Sequence, residues 1–288
     1  MQSLERKAIE LDPKDYIRRS ATESDCSELI DYSAKIFSPD GELLVVYETE
    51  VDADWMQAAR DAMRKAKFGT NTRSNGMKTH SKIFGYAPRH GMRRHPCRLA
   101  GFNTDQPQAA QALEDAAKFL NQWYKANSPS AHRVHEETIE KVLPDWRIGE
   151  TVFTSGIANK NNTLDYHFDA GNFKDCRSVM IGFRERCGGG LLSVPQLDIK
   201  FDIGDCSIIS FDGQILIHGV TPLLMRRGGF RFTAVYYALR QMWDCAPITK
   251  EIIEFRKKMD ELARDPHWDR HARGQKTQVG KYREDGQH

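Results

Sequence analysis

The chain has 288 residues, of which 40% are hydrophobic and 10% aromatic; this suits a folded core and excludes a disordered polymer. Its net charge is only +2, because 42 lysines and arginines offset 40 acidic residues, so a strongly charged surface must come from local clustering. No apolar run approaches the roughly 20 residues of a membrane-spanning helix, and the charged beginning of the sequence excludes a secretory signal there.

The first half of the sequence predicts a polar segment, a strand and two helices. Residues 1–40 are polar and end in a Ser-Pro-Asp-Gly turn, after which the β-type run 42–48 predicts a strand. Apolar residues at helical spacing predict a helix over 52–67 and a longer one over 107–126, with a proline in its first turn. The apolar stripe of the longer helix consists of Leu113, Ala117, Leu120 and Tyr124.

From residue 151 onward, the sequence changes to short segments of β-type composition separated by glycine-containing turns. These segments cover 151–158, 164–168, 178–185, 190–194, 197–201, 206–211, 214–218 and 230–238. Such a series of short strands predicts a β-sandwich or jelly roll. An apolar stripe then predicts a closing helix over 249–263, and residues 264–288 form a polar tail.

The six cysteines contain no C-x-x-C pair and lack the density of a secreted disulfide scaffold. We therefore expect all six to be reduced thiols. His132 and His135 lie on a predicted helical segment, and we expect both to be surface side chains.

A basic run lies between Arg60 and Arg98. These 39 residues contain eleven lysines and arginines and a single acid, Asp61, so they carry a net charge of +10. Aromatic residues and glycines alternate with the cations, an arrangement typical of surfaces that contact phosphates and stack on bases. The basic run therefore predicts contact with nucleic acid or another polyanion. The alternative is a solvated loop whose charge serves solubility.

Three side chains far apart in the sequence suggest a metal site. His167 and Asp169 form an H-x-D motif at the end of a strand-like segment, where residues two apart point to the same side. His218 follows at the end of another apolar segment, and a jelly roll brings such distant strands side by side. Two imidazoles and one carboxylate leave three coordination positions open, which suits a non-haem Fe(II) oxygenase.

Arg231 and Thr233 share one face of the predicted strand that follows. An arginine on an inward-facing position needs an anion, because an unpaired buried guanidinium is costly. Its planar fork fits a carboxylate, and the threonine hydroxyl supplies one more donor. The remote carboxylate of 2-oxoglutarate meets this need.

The stretch from about 152 to 245 resembles the Fe(II)/2-oxoglutarate dioxygenases. Within them it is similar to the TET/JBP group, which oxidises the 5-methyl group of pyrimidine bases in nucleic acid. The segments that carry the resemblance are His167–Asp169, Gly189–Pro195, Phe201–Asp205, His218–Pro222 and Arg231–Tyr237. The cysteine-rich extension of the animal TET enzymes is missing, and Thr233 replaces the more usual serine, so the chain looks like the compact phage or microbial members.

The resemblance implies a fold, cofactors and site residues. The fold is α+β, with a double-stranded β-helix (jelly roll) core and flanking helices. Fe(II) is held by His167, Asp169 and His218, and 2-oxoglutarate is bound by Arg231; we count these four as the catalytic residues. Thr233 and Asn159 are predicted to contact the co-substrate. The predicted substrate contacts are Asn172, Phe173, Arg89, Arg93 and Arg94.

The predicted activity is oxidation of a methylated base in DNA. An Fe(II)- and 2-oxoglutarate-dependent dioxygenase would use O2 to hydroxylate the 5-methyl group of 5-methylcytosine or thymine and release succinate and CO2. One alternative is the same chemistry on an amino acid, a peptidyl side chain or a small metabolite. A second is a non-catalytic jelly-roll module that binds nucleic acid. The expected location is the cytoplasm, that of the host cell if the gene is viral, without a membrane partner.

The predicted domain organisation has one catalytic domain over 41–263, preceded by the polar segment and followed by the polar tail. Within it, residues 41–150 form a helical and basic part that faces nucleic acid. Residues 151–245 form the β core, and 246–263 contain the closing helix. The sequence leaves the oligomeric state open.

Overall fold

The structure is a computed structural model that describes residues 1–72, 78–89 and 96–264. Within these ranges it contains five α-helices and two large β-sheets. The helices are α1 (Asp54–Lys65), α2 (Gly101–Asp105), α3 (Pro107–Asn127), α4 (Pro129–Ile139) and α5 (Ile248–Ala263). None of the helices in these ranges is long and apolar enough to cross a membrane.

The strands fall into two groups along the chain. Before residue 150 they are β1 (Gln2–Glu5), β2 (Glu28–Ile30), β3 (Ala34–Phe37), β4 (Leu43–Glu48), β5 (Asn71–Thr72), β6 (Lys78–Thr79), β7 (Ser81–Ala87) and β8 (Arg98–Leu99). After it they are β9 (Ser155–Lys160), β10 (Leu164–His167), β11 (Ser178–Gly189), β12 (Leu192–Val194), β13 (Ile199–Phe201), β14 (Ser207–Phe211), β15 (His218–Val220) and β16 (Leu223–Tyr237).

The two sheets face each other across an apolar layer. The larger sheet has the strand order β1-β3-β4-β14-β11-β16-β9-β7-β8, and the smaller has the order β10-β15-β12-β13-β2. Side chains from both sheets, among them Val45 and Ile209 from the larger and Val194 and Ile199 from the smaller, form one buried cluster. Sheets that share a core in this way form the jelly roll that the sequence predicts.

The helices cover the other face of the larger sheet. Alanine and leucine at helical spacing give α3 a narrow buried stripe, formed by Ala109, Ala110, Leu113, Ala116, Ala117, Leu120 and Tyr124. This stripe packs against Phe183, Phe232 and Tyr236 of the sheet. Pro107 begins the helix, where its missing N–H costs nothing. The α+β class with flanking helices is therefore confirmed.

The first 40 residues join both sheets. β1 and β3 extend the larger sheet next to β4, and β2 pairs in parallel with β13 of the smaller one. Between them, the N–H of Arg18 donates to the carbonyl of Tyr166, and the N–H of Tyr166 donates to the carbonyl of Arg19. This short segment therefore runs along the outer edge of β10.

The predicted strand 214–218 is wrong, because a turn occupies most of it. The N–H of Gln214 donates to the carboxylate of Asp212, and the N–H groups of Ile215 and Leu216 donate to its carbonyl. The strand β15 begins only at His218, which is thus the first residue of a strand rather than the last. The apolar residues of this turn gave a strand-like pattern without a partner strand.

Two cysteines form a disulfide, contrary to the prediction of reduced thiols. Cys97 and Cys245 are bonded across a separation of 148 residues, with their Cα atoms 5.8 Å apart. The fold brings together β8 and the segment before α5, a proximity that cysteine spacing alone does not reveal. Among the described residues, the other four cysteines are free.

His132 and His135 are buried, contrary to the predicted surface positions. They are 1% and 0% exposed, because α4 packs against α3 and the interior of the helical layer. The ring of His135 lies among Tyr124, Phe153 and Phe173. Burial, with a smaller contribution from His132, lowers the pKa of His135 to about 3, so it is neutral at physiological pH.

Candidate metal centre

The fold brings His167, Asp169 and His218 together. His167 is the last residue of β10 and His218 the first of β15, and the two pair directly across these antiparallel strands. Asp169 lies two residues beyond β10, and its backbone N–H donates to the carbonyl of Gly213 at 2.8 Å. Strand pairing therefore positions the histidines, and a backbone hydrogen bond holds the carboxylate beside them.

The distances within this cluster suit a single metal ion. Asp169 Oδ1 lies 3.9 Å from His167 Nε2 and 3.7 Å from His218 Nε2. One ligand atom from each residue lies within 4.8 Å of the other two. In the described parts of the chain, this is the only group of three or more potential ligands found. Two imidazoles and one carboxylate form the donor set of a facial triad for Fe(II).

Both histidines are held in the tautomer that metal binding requires. His167 Nδ1 lies 2.9 Å from the carbonyl of Asp165, and His218 Nδ1 lies 2.9 Å from the carbonyl of Leu216. Because a carbonyl only accepts hydrogen bonds, each Nδ1 carries the proton. In the neutral imidazoles, Nε2 is then the nitrogen that can coordinate a metal, and the carbonyls fix the ring orientations.

A chain of hydrogen bonds supports the second oxygen of Asp169. Ser178 Oγ donates to Asp169 Oδ2 at 3.2 Å, and Asn172 Nδ2 donates to Ser178 Oγ at 3.2 Å. Gly213 makes room for the carboxylate, since a Cβ at this position would lie 2.4 Å from Asp169 Oδ2. Ser178 and Gly213 were not predicted from the sequence, because neither belongs to a motif that binds metal.

Arg231 is a buried cation whose side chain forms no ion pair with the residues that the structure describes. It is 4% exposed, and its Nε and Nη2 have no hydrogen-bond partner within the described residues. Burial and, secondarily, the nearby Arg184 lower the pKa of Arg231 to about 10, which still leaves it charged at neutral pH. An unpaired buried guanidinium is costly, so this position fits the carboxylate of a bound co-substrate.

Arg231 and the triad line the same cavity, which has a volume of about 760 Å³. Thr233, Asn159 and Asn172 also line it. Alternation along β16 points Arg231 and Thr233 into the cavity, while Phe232 and Ala234 pack into the core against the helices. The structure thus brings together seven of the residues predicted for the site: His167, Asp169, His218, Arg231, Thr233, Asn159 and Asn172.

The other predicted substrate contacts lie elsewhere. Phe173 is fully buried, packs against His135 and Trp243, and is not among the residues that line the cavity. Arg89 forms ion pairs with Glu251 and Glu254 of α5. Arg93 and Arg94 lie outside the described residues.

Acids from outside the basic run pair with several of its cations. Arg60 pairs with Glu185 and Asp205, Arg64 with Glu185, and Lys82 with Asp105. Counting charge within the run could not reveal these partners, because Glu185 and Asp205 are distant in sequence and Asp105 lies beyond the end of the run, in α2. The described part of the run is therefore less positive than its composition indicates.

Comparison with known proteins bears on the fold and on the family that the chain resembles. No protein-family model matches the chain. A segment of 126 residues is 29% identical to the bifunctional helicase and thymine dioxygenase JBP2 of Trypanosoma brucei brucei, which corresponds to 43% of this chain and 11% of JBP2. The chain thus spans only about a tenth of that relative's length.

A solved structure has a similar fold. NgTET1 in complex with 5mC DNA superposes with a TM-score of 0.58 over 80% of this chain and 86% of NgTET1, at 13% identity. This likeness concerns the fold, since the sequence identity is low. Together with the JBP2 match and the triad, it confirms the predicted double-stranded β-helix and the resemblance to the TET/JBP group. The donor set and the unpaired arginine fit Fe(II) and 2-oxoglutarate, as predicted.

Proposed function

We propose that the chain is a TET/JBP-like Fe(II)/2-oxoglutarate oxygenase that hydroxylates the 5-methyl group of a pyrimidine base, 5-methylcytosine or thymine, in DNA. The observation that carries this proposal is the His167, Asp169 and His218 triad in one cavity with the unpaired Arg231. JBP2 is a thymine dioxygenase, and NgTET1 is in complex with 5mC DNA, so both similarities favour a methylated base as substrate.

Each residue of the site has a distinct role in this reaction. His167, Asp169 and His218 would hold Fe(II), which when bound supplies the oxidising chemistry with O2 and 2-oxoglutarate, giving succinate and CO2 as co-products. Arg231 and Thr233 bind the remote carboxylate of 2-oxoglutarate and so orient its other end toward the metal ligands. Apolar side chains of the cavity, such as Met180, Ile209 and Phe211, exclude water from the reacting groups.

The substrate base would enter the cavity beside Asn172. A methyl group inside a base stack cannot enter a cavity to reach the side chains that line it, so a duplex substrate must flip the base out. Because Asn172 Nδ2 donates to Ser178, the Oδ1 of the same amide is left to accept a hydrogen bond from the base. Both 5-methylcytosine and thymine offer an N–H donor at their pairing edge.

DNA phosphates would lie near Arg240, just beyond β16. The backbone N–H of Arg240 donates to the carbonyl of Gly171, in the loop between Asp169 and Asn172. Its side chain is exposed and forms no ion pair with any residue in the described ranges. Arg240 is therefore a better candidate for a phosphate contact than the ion-paired Arg89.

The test is to identify the product. Purified protein with Fe(II) and 2-oxoglutarate is incubated with DNA containing 5-methylcytosine, with DNA containing only thymine, and without DNA. Succinate is then quantified, and the nucleosides are analysed by mass spectrometry. We expect one of the two DNA substrates to stimulate succinate formation and to yield a hydroxymethyl nucleoside.

A matched pair of variants ties the product to the site. Asp169→Asn removes the metal carboxylate and should abolish product formation. Asp175→Asn, six residues further on at an exposed position with φ of 60°, should leave it unchanged, because asparagine tolerates this backbone conformation. Oxidised base from the Asp169→Asn variant would contradict the site assignment.

The two alternative functions give different results in the same assay. A hydroxylase of amino acids, peptides or metabolites would turn over 2-oxoglutarate without oxidising either DNA. A non-catalytic module would bind DNA and form no succinate. Either result, with intact metal binding, would refute base hydroxylation.

A further inference from the structure

Four buried side chains form a hydrogen-bonded network along the cavity wall, which we call the amide network: Ser81, Asn159, Asn162 and Thr233. None of them is more than 8% exposed. Asn159 is central, because it lies on β9, where it is opposite Ser81 of β7 on one side and opposite Thr233 of β16 on the other. The network therefore connects the strand that bears Arg231 to two neighbouring strands.

The hydrogen bonds of this network fix the orientation of the Asn159 amide. Ser81 Oγ donates to Asn159 Oδ1 at 2.7 Å, and Asn162 Nδ2 donates to the same oxygen at 3.2 Å. Two donors at one oxygen identify it as the carbonyl end of the amide. The NH2 group must therefore face the other way, where Asn159 Nδ2 donates to Thr233 Oγ1 at 3.3 Å.

This orientation determines what the Thr233 hydroxyl does. Its oxygen accepts the hydrogen bond from Asn159, so its own proton is directed to a different acceptor. Thr233 lies on the same face of β16 as Arg231, whose Nε and Nη2 have no partner in the described residues. The hydroxyl proton and the guanidinium are thus available to the same anion.

We propose that Asn159 is a positioning residue that acts through Thr233 and does not itself touch the co-substrate. It keeps the Thr233 hydroxyl oriented as a donor to the remote carboxylate of the dicarboxylate bound at Arg231. This inference rests on the proposed use of 2-oxoglutarate. It also replaces the direct contact between Asn159 and co-substrate that the sequence suggested.

A double-mutant cycle tests this role by direct binding. 2-Oxoglutarate is titrated calorimetrically into anaerobic Fe(II)-loaded wild type, Asn159→Ala, Thr233→Val and the double variant. Each single substitution should weaken binding about 10-fold, since each removes or misdirects a hydrogen bond to a charged group. In the Thr233→Val background, Asn159→Ala should weaken binding no further, because the hydroxyl it orients is gone.

Further variants keep the test decisive. Thr233→Ser retains the hydroxyl and should bind 2-oxoglutarate nearly as tightly as the wild type. In steady state, Asn159→Ala should raise KM for 2-oxoglutarate and leave kcat nearly unchanged. If Asn159→Ala does not fold, Asn159→Asp is used instead; its carboxylate captures the Thr233 proton and should weaken binding at least as much as Thr233→Val.

The outcomes separate this inference from the proposed function. An equal loss from Asn159→Ala in both backgrounds would mean direct contact and would overturn the positioning role. Unchanged affinity in Asn159→Ala or Asn159→Asp would overturn it as well. If the Fe(II)-loaded wild type fails to bind 2-oxoglutarate, the proposed function itself fails.

Discussion

Replacing Gly213 by alanine should displace one metal ligand while leaving the fold largely intact. A Cβ at this position would lie 2.4 Å from Asp169 Oδ2, 2.9 Å from its Cγ and 3.1 Å from His218 Cε1. Ordinary van der Waals contact begins near 3.4 Å, so the carboxylate must retreat by about 1 Å. The clash falls on the end of a side chain, which rotates more easily than the sheets shift.

The expected loss can be estimated from the role of Asp169. Disturbing the groups that orient a metal ligand typically costs about 10–100-fold in metal affinity, or about 1.4–2.7 kcal/mol. Displacing the ligand itself should cost at least as much. The extra methyl group should lower the free energy of unfolding by only about 1–3 kcal/mol, the usual cost of overpacking.

The assay is an anaerobic titration with Fe(II), and with Co(II) as a spectroscopic probe, alongside thermal unfolding. Gly69→Ala is the matched control, because Gly69 is exposed and a Cβ there would meet nothing within 4 Å. Gly69→Ala should bind metal as the wild type does. If Gly213→Ala also bound metal with wild-type affinity, Asp169 would not be the ligand, and the proposed geometry of the site would be refuted.

Four further predictions follow from the structure. Arg231→Met should abolish 2-oxoglutarate binding in calorimetry. It should also raise the unfolding free energy of the ligand-free protein by about 1–3 kcal/mol, because it removes a buried unpaired charge. A variant less stable than the wild type would contradict this. Arg240→Ala should weaken DNA binding and reduce its salt dependence by about one phosphate contact. Arg226→Ala, an exposed arginine near the opposite end of β16, should change neither, and equal effects of the two variants would count against a contact at Arg240. Reducing the Cys97–Cys245 bond should lower the unfolding free energy of the wild type by about 2–5 kcal/mol. The unfolding free energy of Cys245→Ala should not change with reductant. Identical unfolding curves of the wild type with and without reductant would contradict a native disulfide. Because the folded-state pKa of His135 is lowered to about 3, only the unfolded chain binds a proton at this residue between about pH 6.5 and pH 3. The free energy of unfolding should therefore fall by up to about 1.4 kcal/mol per pH unit as the pH drops through this range. In denaturant unfolding, His135→Phe should show a shallower decline with falling pH, and a slope equal to that of the wild type would refute the assignment.

The sequence alone predicted the β core and the centre of the site because both depend on local patterns. The H-x-D motif and the alternation around Arg231 place side chains on defined faces of strands, and strand pairing then brings them together. The stripe of α3 was also predictable, because helical spacing places its apolar residues on one face, and that face packs against the core.

Features that depend on distant parts of the chain could not be predicted in this way. Cys97 and Cys245 meet only after folding, and acids that pair with the basic run, such as Asp205 and Glu251, come from distant parts of the sequence. The turn before His218 has a strand's composition, but its N–H groups bond to Asp212 instead of a neighbouring strand. Ser178 and Asn162 contribute through hydrogen bonds to Asp169 and Asn159, and no motif in the sequence marks them.

The segment around Arg18 and Arg19 has a practical consequence for where the protein can be trimmed. β10 is the outermost strand of the smaller sheet, and these two residues occupy part of its free edge by hydrogen bonding to Tyr166. A truncated version beginning at residue 41 would leave that edge bare, one residue away from His167. Bare strand edges invite self-association, so such a shortened protein should aggregate and hold metal poorly even though every ligand is still present.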